Sequence, residues 1–182
     1  MEISRLEDWR EFASFVRRAY AKAGANALGW AGASDEVIAE LTSEETAKRV
    51  LASNRTLAAR ENGEILGIIS CRGVSGGGRE EGGEGGGSSS GDNRSGSNST
   101  VVELSGIVVD EDAKGRGVGS ALIERLLDEC RGAGASLVYV KTEVNNLPAL
   151  AFYRKHGFLP KEDVDEAVSG GVVRCTRLER RL

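Results

Sequence analysis

Apolar side chains recur every third or fourth position in four stretches of the chain, which is the spacing of a helix that buries one face. In the first stretch, Trp9, Phe12 and Val16 lie among charged residues. The last stretch begins at Pro148 and stops at Gly157. Proline near the start of a helix and glycine just past its end are typical of helix termini. The predicted helices cover residues 8–23, 43–52, 118 to 132 or 134, and 148–156.

Shorter apolar runs lie between these helices and predict strands. They cover residues 56–60, 65–72, 101–109, 136–144 and 172–178. Asn62 and Gly63 separate the first two runs and indicate a hairpin turn. Strands interleaved with helices predict a mixed α/β fold, in which helices pack against a sheet.

A segment rich in glycine and serine, residues 75–100, lies between the strands predicted over 65–72 and 101–109. It holds ten of the chain's 25 glycines and no side chain suited to a core. Short glycine-rich loops bind phosphate where a strand and a helix flank them. This segment is long, contains Glu80, Glu81 and Glu84, and leads into a strand. We therefore predict a disordered insertion, which a fold tolerates because the entropy of loop closure grows slowly with length.

The length of 182 residues fits one domain that spans residues 1–182. Lys and Arg number 24 against 28 Asp and Glu, a net charge of -4, which argues against a nucleic-acid partner. The one histidine, His156, and the cysteines Cys71, Cys130 and Cys175 do not have the spacing of zinc ligands. We expect no metal.

The first residues of the chain lack the apolar run of a signal peptide, and we expect no membrane-spanning segment and no membrane partner. Cysteines scattered singly suit a reducing compartment. These features predict a cytoplasmic protein and leave a nuclear location open.

The most informative segment is the junction between the strand predicted over 101–109 and the helix that follows it. The strand ends in Ile107, Val108 and Val109, and a glycine-rich turn opens the helix. That turn consists of Lys114, Gly115, Arg116, Gly117, Val118, Gly119 and Ser120. The N–H groups and dipole at a helix N-terminus favour an anion, and glycine lets the backbone approach a phosphate closely. We predict that this turn binds phosphate.

Two common phosphate-binding motifs fit this turn less well. The Walker A pattern G-x-x-x-x-G-K-S/T is absent. In the dinucleotide fingerprint G-x-G-x-x-G, Ser120 would stand at the third glycine, and the early β-α-β setting is missing. Taken alone, the glycines are also compatible with a simple turn before a helix.

Two further patterns follow each other in order along the chain. The first, Q/R-x-x-G-x-G/A, is met by Gly117 and Gly119, with Lys114 in the first position. The second, N-x-x-A-x-x-F/L-Y-x-x-x-G-F, is met by Asn146, Ala149, Phe152, Tyr153, Gly157 and Phe158. Together they resemble the signatures of the GNAT superfamily of N-acetyltransferases over about residues 65–158. The resemblance implies the GNAT-like acyl-CoA N-acyltransferase fold, a central, mostly antiparallel sheet whose fourth and fifth strands form a splayed parallel pair flanked by helices.

The resemblance implies acetyl-CoA as the co-substrate and gives the motif residues their roles. The backbone of Ile107, Val108 and Val109 would pair with the pantetheine arm, as an added strand would. The turn from Lys114 to Ser120 would hold the pyrophosphate, and Asn146 would hydrogen-bond to pantetheine.

Transfer to an amine requires proton transfers. A lysine-like amine has a pKa of about 10.4, so a base is useful, and an acid helps the thiolate to leave. Tyr153 is the candidate acid by its motif position, with a core aromatic as the alternative. Glu103 is the candidate base, because strand alternation would place it on one face with Ile107 and Val109. Glu143 is a second candidate, and either glutamate could instead be a solvated strand carboxylate.

Two aromatic residues stay open to more than one interpretation. His156 lies where a helix-end role is expected. Trp30 either lines the acceptor pocket or is a buried anchor. The predicted function is transfer of an acetyl group from acetyl-CoA to a primary amine by direct attack in a ternary complex. The alternative is a non-catalytic module of the same fold. The sequence does not identify the acceptor or the length of the acyl group. A homodimer is compatible with the sequence, because many members of the family form dimers.

Overall fold

The computed structural model describes residues 1–23, 35–74, 100–168 and 171–182. The helices are α1 (Trp9–Ala23), α2 (Asp35–Leu41), α3 (Glu44–Ser53), α4 (Val118–Gly132) and α5 (Leu147–Lys155), with a short 3-10 helix at Glu111–Ala113. The strands are β1 (Glu2–Arg5), β2 (Arg55–Glu61), β3 (Glu64–Val74), β4 (Thr100–Val109), β5 (Ala135–Glu143), β6 (Leu159–Val168) and β7 (Gly171–Arg181).

Every helix and strand predicted from the sequence is present, with ends shifted by at most a few residues. The predicted insertion falls on residues 75–99, which lie outside the described residues together with Trp30. Its last residue, Thr100, belongs to β4 instead. The disorder of the segment therefore stays a prediction.

Three elements were not predicted: β1, α2 and β6. Strand β6 contains Asp163 and Asp165, and aspartate is depleted in strands. The strand forms because its partner β7 supplies complementary groups. Thr176 donates to Asp163 at 2.8 Å, and Arg174 donates to Asp165 at 3.4 Å. Cross-strand pairs of this kind stabilise a strand whose own composition disfavours it.

The seven strands form one sheet in the order β1-β2-β3-β4-β5-β7-β6. All neighbouring strands are antiparallel except β4 and β5, which are parallel. The helix α4 makes the crossover between the two parallel strands. This is the mixed sheet with a parallel fourth and fifth strand that the sequence predicted.

The parallel pair separates halfway along its length. The ladder between β4 and β5 ends at the pair Leu104 and Val140. Beyond it, β4 continues to Val109 in register with β3, whereas β5 continues to Glu143 in register with β7. The two strands therefore diverge, and the edge of β4 that faces β5 is left without a ladder partner after Leu104.

Helices cover the sheet on both faces. On one face α4 buries Leu122, Ile123 and Leu126 completely, in a core that also includes side chains of β3, β4 and β5. Each such side chain contributes about 1.5–3 kcal/mol. On the other face α1 and α3 pack over Ala58 and Ile68. The position of α4, and hence of the turn before it, is held by this core.

An irregularity in β4 changes which side chains share a face. Along the ladder with β3, Leu104 is opposite Cys71 and Gly106 is opposite Ser70, so Ser105 is an extra residue. A bulge of this kind leaves one residue unpaired and shifts the alternation of side chains by one.

The bulge overturns the predicted face of Glu103. Leu104 lies in the α4 core, and Ile107 and Val109 pack against that same core. Since neighbouring side chains in a strand point to opposite faces, Glu103 lies on the face opposite Leu104. The expectation that Glu103 shares a face with Ile107 and Val109 is therefore wrong, because strict alternation does not hold across Ser105.

Candidate functional site

The predicted phosphate-binding turn lies between the end of β4 and the start of α4. Gly117 is the N-cap of α4, with φ of 80°, and Gly115 has φ of 75°. Glycine adopts this left-handed backbone at little cost. It also brings no side chain to accept hydrogen bonds from the first N–H groups of the helix, which therefore suit an anion.

The two cations of the turn point to neighbouring carboxylates. Lys114 pairs with Glu111 at 2.5 Å, and Arg116 reaches across to Glu61 at the end of β2, also at 2.5 Å. The hydrogen bond from Arg116 lowers the pKa of Glu61. Both cations are about half exposed, so solvent screens these pairs and the side chains are able to turn toward a bound anion.

Gly119 is needed for packing rather than for backbone conformation. A Cβ atom on it would stand 3.3 Å from the Phe152 ring and 3.6 Å from Val109. The absent side chain lets α5 approach the first turn of α4 closely. The sequence assigned all the glycines of the turn to phosphate contact, and the structure separates Gly119 from Gly115 and Gly117.

Asp110 anchors the chain just before the turn. Its buried carboxylate accepts from the Asp112 N–H at 3.1 Å, from Arg18 at 3.1 Å and from Lys22 at 3.2 Å. Burial by itself would raise the pKa of Asp110, but these hydrogen bonds lower it overall. Arg18, Lys22 and Asp110 line a surface cleft of about 270 Å³, which Arg116 lines as well.

Asn146 is the N-cap of α5. Its side-chain oxygen accepts from the Ala149 N–H at 3.2 Å, and its amide nitrogen donates to Thr142 at 3.4 Å. One donor hydrogen and one acceptor lone pair of the amide remain for another partner. The contact with pantetheine stays a prediction, and the capping role is one that the motif alone did not indicate.

Tyr153 is 4% exposed and is held edge-on by two rings, Phe152 at 5.4 Å and Phe158 at 5.7 Å. Burial raises the pKa of its hydroxyl, which keeps the phenol protonated. Its ring belongs to the same core cluster as the buried side chains of α4.

His156 is the C-cap residue of α5, the position at the helix end that the sequence predicted. Its ring is buried, and its Nε2 lies 3.1 Å from Oγ of Ser120 in the first turn of α4. The Phe152 ring lies 4.7 Å away. Burial lowers the pKa of His156. The end of one motif helix is thus tied to the start of the other.

Glu103 is buried and ion-paired. Its carboxylate lies 2.6 Å from Arg72 and 3.6 Å from Lys141. Glu143 shares the face of Lys141, two residues along β5, so both candidate bases lie on the face opposite α4.

The three cysteines are buried and unoxidised. A hydrogen bond with Cys130 and burial raise the pKa of Cys71, and burial raises the pKa of Cys175. Raised pKa values keep these two thiols protonated, and a thiol is a poor nucleophile compared with a thiolate. The hydrogen bond with Cys71 lowers the pKa of Cys130, whose side chain is buried in the core.

Within the four described ranges, no cluster of three or more His, Cys, Asp or Glu side chains is arranged to hold a metal ion. The described helices also include none that is long and apolar enough to cross a membrane.

The structure brings the two sequence motifs together through two contacts, Gly119 with Phe152 and Ser120 with His156. It places Tyr153 beside Phe152 and leaves Glu103 on the other face of the sheet. The contact of Ser120 with His156 was not foreseen. Its partners are 36 residues apart, and no spacing rule connects such positions.

Comparison with known proteins agrees with this geometry. The profile of the Acetyltransferase (GNAT) family matches residues 26–158. An uncharacterized N-acetyltransferase of Methanocaldococcus jannaschii is 39% identical over 64 residues, which are 35% of this chain and 28% of that protein. The IAA acetyltransferase of Azospirillum brasilense is 39% identical over 56 residues, 31% of this chain and 37% of that protein. The matched part is about a third of the length of these relatives.

The fold is also shared with solved structures. PaiA N-acetyltransferase from Thermoplasma acidophilum, crystallised in complex with coenzyme A, has a TM-score of 0.67 at 15% identity, with 100% of both chains covered. The structural similarity shows a common fold, and at this identity it shows the fold alone. Since the family profile spans most of the chain, this protein belongs to the GNAT acetyltransferase family.

Proposed function

We propose that the protein transfers the acetyl group of acetyl-CoA to a primary amine by direct attack in a ternary complex. The observation that carries the proposal is the divergence of β4 from β5 directly before the glycine-capped N-terminus of α4. One end of this arrangement suits an extended amide chain and the other suits a pyrophosphate. Relatives that match about a third of the chain are named as acetyltransferases.

The open edge of β4 fits the pantetheine arm. Backbone groups of Ile107, Val108 and Val109 that face β5 have no partner in that strand, because the ladder ends at Leu104. An extended amide-containing chain would satisfy them as an added strand does. The turn from Lys114 to Ser120 would then hold the pyrophosphate with its N–H groups.

The reaction needs two proton transfers, one to the departing sulfur on the α4 side of the sheet and one from the acceptor nitrogen on the opposite side. The acceptor nitrogen forms a bond to the thioester carbon, the carbon–sulfur bond breaks, and the Tyr153 hydroxyl gives its proton to the departing sulfur. A backbone N–H of Val108 or Val109 would polarise the carbonyl.

Glu103 remains our candidate for the base, acting from the opposite face. Its ion pairs with Arg72 and Lys141 hold its carboxylate in place. We place it close to the acceptor nitrogen as an electrostatic partner that also receives the proton through water.

We keep three further expectations as part of the proposal. Residues 1–182 form one catalytic domain, the protein works in the cytoplasm, and a homodimer stays open. The acceptor is an amine whose further chemistry is not assigned.

The test has two measurements. Coenzyme A and acetyl-CoA should each raise the thermal unfolding temperature, and acetyl-CoA should release free thiol in the presence of a suitable member of an amine panel. Stabilisation by coenzyme A without thiol release from any amine would favour the non-catalytic alternative. No stabilisation by either compound would refute the coenzyme site.

A further inference from the structure

The contact between Ser120 and His156 joins the two helices that carry the motifs. Ser120 is the third residue of α4, within the turn whose N–H groups face the proposed pyrophosphate. His156 closes the last turn of α5, the helix that contains Tyr153. Ser120 Oγ and His156 Nε2 are 3.1 Å apart, which is a hydrogen-bond distance.

The direction of this hydrogen bond decides what Ser120 can offer a ligand. A serine hydroxyl has one proton to donate and two lone pairs to accept with. If His156 Nε2 carries no hydrogen, Ser120 donates its proton to the ring and has none for a phosphate oxygen. If Nε2 carries the hydrogen, His156 donates to Ser120, whose own proton is then free to turn toward an anion.

The surroundings of the ring favour a neutral imidazole that can adopt either tautomer. Burial lowers the pKa of His156, and the charges nearest to it are Glu124 on α4, Lys155 on α5 and Arg180 on β7. The two cations oppose a positive ring, and Arg180 also donates to the His156 carbonyl. A neutral ring holds one N–H, so the ligand can select which nitrogen carries it.

We propose that His156 is a positioning residue of the coenzyme site, whose Nε2–H donates to Ser120 Oγ and thereby directs the Ser120 proton at the pyrophosphate. This inference rests on the proposed function, because it needs a pyrophosphate at the N-terminus of α4. It assigns to Ser120 a side-chain contact in addition to its backbone N–H. It also explains why a histidine stands at a helix end where many residue types would close the turn.

The ring is held well enough to act in this way. His156 is 8% exposed, and the Phe152 ring packs against it at 4.7 Å. A Cβ atom on Gly119, directly before Ser120, would stand 3.3 Å from the Phe152 ring. A side chain fixed on two sides presents its donor in a defined direction at little entropic cost.

The test measures the dissociation constant of coenzyme A by calorimetry for a set of variants. His156→Leu removes the donor and should weaken binding about tenfold, the effect of roughly one hydrogen bond to a charged group. His156→Gln places an amide N–H near the position of Nε2 and should restore binding to within about twofold of the wild type, a difference smaller than one neutral hydrogen bond. Ser120→Ala should weaken coenzyme A binding as much as His156→Leu does. The double variant should bind no more weakly than either single variant.

Two controls separate positioning from general destabilisation. Ser43→Ala removes the cap of α3, a helix on the sheet face opposite α4, and should lower the unfolding temperature without changing the affinity for coenzyme A. Dephospho-coenzyme A, which keeps the pyrophosphate and lacks the 3′-phosphate, should show the same loss with His156→Leu as coenzyme A does.

The outcomes distinguish the inference from the proposed function. Equal affinity of wild type and His156→Leu overturns the inference and leaves the coenzyme site standing. Additive losses in the double variant overturn it as well, because the two residues would then act independently. Failure of the wild type to bind coenzyme A would overturn both the inference and the proposed coenzyme site.

Discussion

The glycines of the turn before α4 differ in what they permit. Gly115 and Gly117 have left-handed backbone conformations, whereas Gly119 makes room for Phe152. The sequence motif does not distinguish these requirements, since each is met by the same residue type. Substitution at each position should therefore fail for a different physical reason.

Replacing Gly117 by valine should abolish the stabilisation of the protein by coenzyme A. The left-handed conformation costs a residue with a side chain about 1–2 kcal/mol, and the new side chain would stand in front of the helix N-terminus. The measurement is the unfolding temperature with and without coenzyme A. Gly134→Val is the control, because Gly134 has φ of 77° at the other end of α4. Loss of the shift in both variants would show that backbone strain alone is responsible.

Replacing Tyr153 by phenylalanine should lower kcat by about 100-fold, the scale of one general acid. The affinity for coenzyme A should change little, because the ring packing with Phe152 and Phe158 is kept. Steady-state kinetics and calorimetry measure the two quantities. Tyr20→Phe is the matched control, since Tyr20 is a largely buried phenol on α1 whose pKa burial also raises. An unchanged kcat in Tyr153→Phe would exclude this hydroxyl as the acid.

Among the structural elements, β4 does most to shape the site. Its first half pairs with β5, its second half does not, and the bulge at Ser105 lies at the change. Bulges bend and twist a strand, which is what divergence from a neighbour requires. The sequence predicted the strand and its ends, but the bulge depends on pairing with β3, which no pattern within β4 reveals.

The junction of α1 with the end of β4 should depend on pH through Asp110. Because the pKa of this carboxyl is lowered in the folded state, its ionised form stabilises the fold at pH values above its ordinary pKa of about 3.9. That contribution is lost as the pH falls through the lower folded-state value. Asp110→Asn should cost about 1–3 kcal/mol at pH 7, because Arg18 and Lys22 lose a charged acceptor.

The measurement for Asp110 is the free energy of unfolding in urea at several pH values. The difference between wild type and Asp110→Asn should be largest near neutral pH and should shrink below about pH 4. Asp112→Asn serves as the control, because its side chain is 79% exposed and pairs with the same Lys22. A difference that stays constant with pH would mean that the charge of Asp110 contributes nothing to stability.

At the scale of the whole molecule, the pairing of β3 with β4 explains how the fold accommodates the segment 75–99 between them. Val74 at the end of β3 is the register partner of Val101 near the start of β4. Antiparallel partners lie about 4.5–5.5 Å apart, so a short turn is sufficient to connect these strands. A longer connection at this point starts and ends at two strand residues that the ladder already holds side by side.

Replacing residues 75–99 by a four-residue Gly-Ser turn should leave both the unfolding temperature and the affinity for coenzyme A unchanged or slightly raised. The reason is that the sequence predicts a disordered insertion here, and each halving of such a loop lowers the entropic cost of closing it by about 0.6 kcal/mol. Thermal unfolding and calorimetry measure both effects. Lower affinity for the amine with unchanged affinity for coenzyme A would instead assign the segment to the acceptor side.

Local chemistry determined much of this protein by itself. Periodic apolar positions predicted every described helix except α2 and the short 3-10 helix, and most strands, and two short motifs indicated the family, because these signals depend on neighbours within one turn or one strand. Strand β6 escaped prediction, since its acidic residues form a strand only against β7. The tertiary structure alone decided the face of Glu103 and the contact of Ser120 with His156. The first depends on the ladder between β4 and β3, and the second on two residues that are 36 positions apart in sequence.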